Sequence, residues 1–293
     1  DEENGILSVS GERRAEIRNQ LCRQLFILSK GYRPFMNSFL NMVFTGPAGV
    51  GKTKLANTVG FIYKKSGILL KGDVVVVSPK DMIGEYVGQT AGKAAGVLMK
   101  GLEGIVFVDE AYQIMPCHDG KLQEGTKSFG PEAITEIVNF LDKFVGLSIM
   151  IVAGYKREMD GCFFAANEGL QRRFPVRMTL PPYTVTDLLN IFVKTTVARL
   201  DENIFSDDIA KYIFTVMLQL NEQDEEVFKN QAGDIMNLVS AFLNAYYGSI
   251  KVSWGTFDQE VIIVNAAFNR YLANKGLQMS LSSPVAPPAS GSH

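Results

Sequence analysis

Residues 46–53 read Gly46-Pro47-Ala48-Gly49-Val50-Gly51-Lys52-Thr53. The apolar run Leu40–Thr45 precedes them, and apolar residues at helical spacing follow, at Leu55, Val59, Ile62 and Tyr63. A strand, a glycine-rich turn with the G-x-x-x-x-G-K-[ST] spacing and a helix are thereby set in series. The glycines let the backbone curl so that successive N–H groups point at one anion, at the positive end of the helix. A nucleotide phosphate fits that cradle. Lys52 reaches the β- and γ-phosphates, and the Thr53 hydroxyl ligates Mg²⁺. The binding set is read as Gly46, Pro47, Ala48, Gly49, Val50, Gly51, Lys52, Thr53 and the adjoining Lys54, with ATP and Mg²⁺ as the expected ligands.

A second constellation is the strand Gly104-Ile105-Val106-Phe107-Val108 ending in Asp109-Glu110. A carboxylate at the tip of a buried parallel strand beside a phosphate loop is where Mg²⁺ needs a ligand, and Asp109 suits that role. Side chains alternate along a strand, so Glu110 points elsewhere. It is placed to polarise a water for in-line attack on the γ-phosphate.

Further strand candidates are Met42–Thr45, Val74–Val77, Ile149–Ala153 and Val176–Leu180, most of them β-branched and apolar throughout. Helix candidates between them are Lys52–Lys65, Thr90–Lys100, Pro131–Phe144 and Met159–Asn167. This alternation predicts an α/β fold, a five-stranded parallel sheet covered by helices. After Pro181-Pro182 only helical patterns remain: Thr186–Leu200, Asp207–Leu220, Asp234–Tyr247, and one that starts at Thr256, with Gln259 completing a capping box, and ends near Gly276. The expected organisation is an N-terminal segment 1–31 with an amphipathic helix over Glu12–Leu28 (Ile17, Leu21, Leu25 and Leu28 on one face), a nucleotide domain 32–182, a helical lid 183–276, and a Ser/Pro/Ala-rich disordered tail 277–293.

Composition narrows the function class. A net charge of −2 and no Lys/Arg cluster with interleaved aromatics make nucleic acid an unlikely partner. No apolar run approaches the roughly 18 residues of a membrane helix. The three cysteines, Cys22, Cys117 and Cys162, are odd in number and far apart. They are read as neither zinc ligands nor a disulfide framework, which points to a reducing compartment, the cytoplasm or an organellar stroma. Cys117-His118-Asp119 is read as a polar loop rather than a metal site, because no second Cys/His pair completes it. The chain opens on Asp1 and closes on Ser290-Gly291-Ser292-His293. Both ends read as trimmed boundaries, so a targeting peptide cannot be judged.

Asp109-Glu110-Ala111-Tyr112 resembles the second Walker motif of AAA+ ATPases, within the branch that contains red-type Rubisco activases and the stage V sporulation protein K group. Ser78–Thr90 resembles that family's pore loop and its helix, Gly130-Pro131-Glu132-Ala133-Ile134 the helix start after the second Walker motif, Ile151–Tyr155 the fourth strand, and Asn167–Phe174 the arginine-finger segment. The resemblance runs from about Gly11 to Leu272. It implies a homo-oligomer, a hexameric ring with ATP at each interface, acting on a protein client that the sequence does not name. It implies that Arg173 reaches a neighbour's γ-phosphate, with Arg172 as the competing candidate. A guanidinium supplied across an interface offsets transition-state charge, worth about 10³–10⁵ in rate elsewhere. Tyr86, between glycines, is expected to grip an extended peptide in a central pore.

The chain departs from the family pattern in two places. Gly154-Tyr155 stands where many members carry a polar sensor. Gly233-Asp234-Ile235-Met236 aligns with a segment that commonly carries a lid arginine, and no Lys or Arg occurs between Lys229 and Lys251. The leading expectation is an ATP-driven ring that remodels a protein through its pore. The alternatives are a slowly hydrolysing, ATP-bound scaffold or regulatory subunit, and a nucleic-acid remodelling loader.

Overall fold

The structure is a computed structural model. It describes residues 19, 39–123, 128–248, 255–279 and 281. The helix expected over Glu12–Leu28 lies outside the described residues but for Asn19, as do the rest of segment 1–31 and the tail beyond Leu281. Contacts among the described residues divide the chain into two compact units, one ending at Pro182 and the other beginning at Tyr183.

The first unit contains strands β1 (Met42–Thr45), β2 (Val74–Val77), β3 (Ile105–Val108), β4 (Cys117–His118), β5 (Lys121–Leu122), β6 (Ile149–Gly154) and β7 (Val176–Thr179). Five of them form one parallel sheet in the order β2-β3-β6-β1-β7. The helices are α1 (Lys52–Lys65), α2 (Pro79–Met82), α3 (Thr90–Met99), α4 (Gly130–Lys143) and α5 (Glu168–Arg173). β1, β3 and β6 are buried along their whole length, as unbroken apolar strands covered on both faces must be. On one face Val43, Val106, Val108, Met150 and Val152 pack with Leu98, Ile134, Ile137 and Phe140 from the covering helices. β2 is an edge strand, and its Val76 is 57% exposed.

The strand order decides where chemistry happens. β6 lies between β3 and β1, so the chain leaving β6 runs between the loop after β1 and the acids after β3. Register places Val108 opposite Val152 and Thr45 opposite Gly154. Three carboxyl-terminal strand ends thus meet, the usual ligand crevice of an open α/β sheet.

Two local features depart from expectation. The single helix expected over Met159–Asn167 is instead three short pieces, Lys156–Glu158, a wide turn Met159–Phe163 and a tight turn Phe164–Ala166. Tertiary packing overrides helix propensity here. Gly161 lies so close to the hairpin that a Cβ there would sit 1.9 Å from the Gly120 carbonyl oxygen. Phe163, Phe164 and Phe174 meet edge to face, with centroids 5.1 to 6.1 Å apart. The second departure is that hairpin. Cys117-His118-Asp119 is not a plain polar loop, since β4 and β5 pair antiparallel around Asp119 (φ 52°) and Gly120 (φ 66°). Positive φ at both central residues is the two-residue hairpin turn that Asp-Gly favours.

The cysteine reading is corrected as well. Cys117 on β4 and Cys162 in the wide turn form a disulfide, with Cα atoms 5.8 Å apart. They stand 45 residues apart in the chain, and only the fold brings the hairpin onto the wide turn. The argument for a reducing compartment from unpaired cysteines falls with it.

The second unit is helical: α6 (Val185–Leu200), α7 (Asp207–Gln223), α8 (Ala232–Gly248) and α9 (Phe257–Lys275). Thr184 and Asp187 form a reciprocal capping box at the start of α6, Ser206 accepts from Ile209 N at α7, and Thr256 from Gln259 N at α9. α9 ends on Gly276 in the left-handed conformation that glycine adopts freely. Phe192, Phe228, Phe242 and Phe268 fill the core between the helices. Leu277, Met279 and Leu281 pack against this core, so the unit continues past Gly276, where the sequence led us to expect the tail. No described helix is long and apolar enough to cross a membrane.

Candidate nucleotide site

The glycine-rich turn leaves β1 at Gly46. Its N–H donates to Gly154 O at 3.2 Å, tying the loop to the end of β6. Gly46 has φ 152°, and a Cβ there would lie 2.4 Å from Leu180 O, so no side chain fits. Gly49 and Gly51 have φ of 72° and 88°. Gly51 is the N-cap of α1, which has no side-chain cap and no acid in its first turn. The first N–H groups of a helix have no intrahelical partner. Here neither a side-chain cap nor an acidic first turn answers them, which suits an anion. Lys52 is buried, its Nζ donating to Gly46 O at 3.0 Å and Pro47 O at 2.9 Å. The ammonium therefore lies under the loop that would hold the phosphates. Val50 is buried and Thr53 is partly buried, while Gly49 and Lys54 are exposed.

Asp109 follows β3, its N–H donating to Val77 O at 3.3 Å and its Oδ1 accepting from Glu110 N at 3.1 Å. Glu110 is in the left-handed region, φ 50° and ψ 43°, where non-glycine residues are uncommon. That kink starts a tight turn, Ala111–Ile114, and Gln113 N donates to Glu110 O at 2.9 Å. Oε2 of Glu110 is buried and has no hydrogen-bond partner among the described residues. Sequence reasoning put Asp109 and Glu110 here but passed over Tyr112 as part of a motif. Its ring packs over the end of β6, where a Cβ on Gly154 would meet Tyr112 Cδ1 at 2.8 Å. Burial first, and then the neighbouring Glu110 carboxylate, push the Tyr112 ionisation upward, so the phenol stays protonated. Tyr155, after β6, adds a ring with its centroid 6.4 Å from that of Tyr112 and 5.8 Å from Lys52 Nζ.

The expected interface arginines separate sharply. Arg173, at the end of α5, is 5% exposed. Its Nε donates to Asp142 Oδ1 at 2.7 Å and its Nη1 to Gly169 O at 2.8 Å. Arg172, one residue earlier, is exposed. Asp142 is on α4, and no signal in the sequence pairs it with Arg173. Tyr86 is 68% exposed and Val87 is 86% exposed, on the turn that joins α2 to α3. In the helical unit, Met236 is half-buried against the core, and the nearby Asp234 is buried and paired with Lys275 at 2.8 Å. Among the described residues no cluster of three His, Cys, Asp or Glu could hold a metal ion by itself.

Comparison with known proteins agrees with this geometry. Residues 42–181 match the family described as "ATPase family associated with various cellular activities (AAA)". The chain is similar to stage V sporulation protein K of Bacillus subtilis, 40% identical over 152 residues, which are 52% of this chain and 45% of that one. It is similar to the ESX-1 secretion system protein EccA1 of Mycobacterium tuberculosis, 32% identical over 183 residues, 62% of this chain and 31% of that one. A CfxQ homolog of Cyanidium caldarium is 35% identical over 155 residues, 53% of this chain and 52% of that one. The chain thus spans about half, or less, of the curated relatives it matches. Residues 42–181, where the sheet ends in a glycine-rich loop and two acids, thus form a domain of the AAA ATPase family, and the chain's similarity to stage V sporulation protein K and the CfxQ proteins is consistent with that branch of the AAA+ ATPases.

Proposed function

We propose that the chain is an Mg²⁺-dependent ATP hydrolase that works as a homo-oligomeric ring, a hexamer, and remodels a protein client through a central pore. The observation that carries the chemistry is the meeting of three strand ends, which brings the Gly46–Thr53 cradle and the Asp109-Glu110 pair to one crevice. The first-turn N–H groups of α1 and the Lys52 ammonium bind the phosphates. Thr53 and Asp109 are the residues that would hold Mg²⁺, an all-oxygen donor set suited to that ion. When bound, the ion neutralises charge on the β- and γ-phosphates. Glu110, with its free buried oxygen, accepts the proton of the attacking water.

Arg173 is engaged inside its own subunit, so the role of reaching a neighbour's nucleotide falls to the exposed Arg172. Tyr86 and Val87, both exposed and apolar, give the loop an aromatic grip that demands no particular client sequence. A second reading, the slowly hydrolysing scaffold, draws support from Met236, since no Lys or Arg occurs between Lys229 and Lys251, where the family resemblance leads one to expect an arginine.

Mixed rings test the motor reading. Specific activity should rise with protein concentration as rings assemble. Arg172→Ala and Glu110→Gln subunits, each inactive alone, should regain turnover when mixed, because one interface then pairs an intact base with an intact arginine. Full activity in dilute monomer, seen by light scattering, rejects the ring. Normal client remodelling by assembled Tyr86→Ala rings rejects the pore.

A further inference from the structure

The strand β6 ends at Gly154, and the residue after it is a tyrosine where the family resemblance leads one to expect a polar side chain. Its backbone is fixed from both directions. Gly154 O accepts from Gly46 N, the first residue of the phosphate loop, at 3.2 Å, and Tyr155 O accepts from Met159 N at 2.9 Å. From that anchor the Tyr155 ring neighbours the Tyr112 ring, with centroids 6.4 Å apart, and the Lys52 ammonium, which lies over it at 5.8 Å from the centroid. That is within the roughly 6 Å over which the face of an aromatic ring attracts a cation.

Lys52 is 6% exposed, and its Nζ has three N–H donors. Two go to Gly46 O and Pro47 O. Among the described residues, two carbonyls and one aromatic ring are thus what hold this cation. The chemistry of that set suits an anion site. A carboxylate would also steady the ammonium, but it would cancel the charge and repel a phosphate. A neutral ring attracts the cation through its quadrupole and leaves the charge intact.

We propose that Tyr155 is a positioning residue for phosphate binding: its ring holds the Lys52 ammonium against the loop without neutralising it, so the cation is already ordered when a nucleotide arrives. The proposal rests on Lys52 being the phosphate-binding lysine, as proposed above. A lysine side chain carries rotamer freedom that binding would otherwise have to remove, and ordering it beforehand raises affinity. The ring face is the working part. Tyr155 therefore serves Lys52 and does not stand in for a polar sensor through its hydroxyl.

Tyr155→Phe keeps the ring face and removes the hydroxyl. Tyr155→Leu keeps apolar bulk and removes the face. Tyr155 is 41% exposed, so neither change should move the melting temperature. Titration with a fluorescent ATP analogue should give parental affinity in Tyr155→Phe and about threefold to thirtyfold weaker binding in Tyr155→Leu, the weight of one cation–π contact. Turnover at saturating ATP should change less than affinity. In the absence of nucleotide, acylation of Lys52 by an amine-reactive ester, located by peptide mass mapping, should run at the parental rate in Tyr155→Phe and faster in Tyr155→Leu. Parental affinity in Tyr155→Leu, while Lys52→Ala fails to bind, overturns the role of the ring and leaves the loop assignment in place. Tighter binding in Tyr155→Leu also overturns it, since the ring would then compete with phosphate for the ammonium. Equal loss of turnover in both variants at parental affinity overturns it too, because the hydroxyl would then be the working part. Parental affinity in Lys52→Ala removes the loop assignment, and this proposal with it.

Discussion

The Arg173 guanidinium and the Asp142 carboxylate form a two-point pair, Nε with Oδ1 at 2.7 Å and Nη2 with Oδ2, that joins the end of α5 to α4. The backbone of the same arginine accepts from the Asn41 amide, which in turn accepts from Met150 N at the start of β6. Arg173 thus clamps one helix to another at the foot of the sheet, while Arg172 stands free on the surface.

The two arginines should therefore fail differently. Arg173→Ala should lower the unfolding free energy by about 1–3 kcal/mol, as loss of a charged hydrogen-bonded pair does. Arg172→Ala should stay within about 0.5 kcal/mol of the parent and lose turnover by about 10³-fold in the assembled protein. Urea unfolding beside an ATPase assay separates them. Equal stability in both variants would reject the clamp.

The same pair sets a pH dependence. The bond from Arg173, more than the charge of Arg173 and Arg172, holds the Asp142 carboxyl below its ordinary value, against a smaller opposing effect of burial. A carboxyl whose folded pKa is depressed stabilises the fold above its unfolded pKa, about 4, and loses that contribution as pH falls through the folded value. Asp142→Asn should be less stable than the parent at pH 7, and the gap should close below about pH 4. A gap that persists unchanged at pH 2 would contradict this.

Lys52 donates to two loop carbonyls and has no acidic partner within the loop. Lys52→Ala should keep the fold, as judged by circular dichroism, and lose ATP binding at concentrations that saturate the parent, because the point charge for the phosphates is gone. Titration with a fluorescent ATP analogue measures it. Near-parental affinity would detach the loop from the nucleotide.

The Cys117–Cys162 bridge closes a loop of 45 residues. By the chain-entropy relation a loop of that size contributes about 4 kcal/mol. Cys117→Ser should lower the denaturant midpoint accordingly and should be insensitive to reductant. The oxidised parent, once reduced, should follow the same curve. A parent curve that reductant leaves unmoved would show that the bridge contributes nothing to stability.

In the helical unit, Lys275 at the end of α9 donates to Asp234 Oδ2 at 2.8 Å and to Val227 O at 2.6 Å, and Asp234 is 2% exposed. Removing one partner strands a buried charge, so Lys275→Met should cost about 3 kcal/mol. Adding Asp234→Asn should recover part of it. Chemical denaturation of the two variants decides the point, and a double variant no better than the single would reject the pairing.

How much of this was legible beforehand follows from the range over which each signal acts. The glycine-rich loop Gly46–Thr53, the Asp109-Glu110 strand end, the five sheet strands and the four helices of the second unit are written in spacing, periodicity and caps, all local quantities. They were readable from the sequence because a glycine needed at positive φ, an unbroken buried strand or a Thr256 N-cap announces itself within a few residues. The Asp119-Gly120 hairpin was equally local, and its signal went unused. Tertiary structure alone decided the rest. Asp142 and Arg173 are 31 residues apart, Cys117 and Cys162 are 45 apart, and Tyr112 meets Gly154 only because β6 inserts between β1 and β3. No local pattern encodes such pairs, since each depends on the order in which strands assemble. That order also buries Arg173, turns Arg172 outward and lays the Tyr112 ring against Gly154.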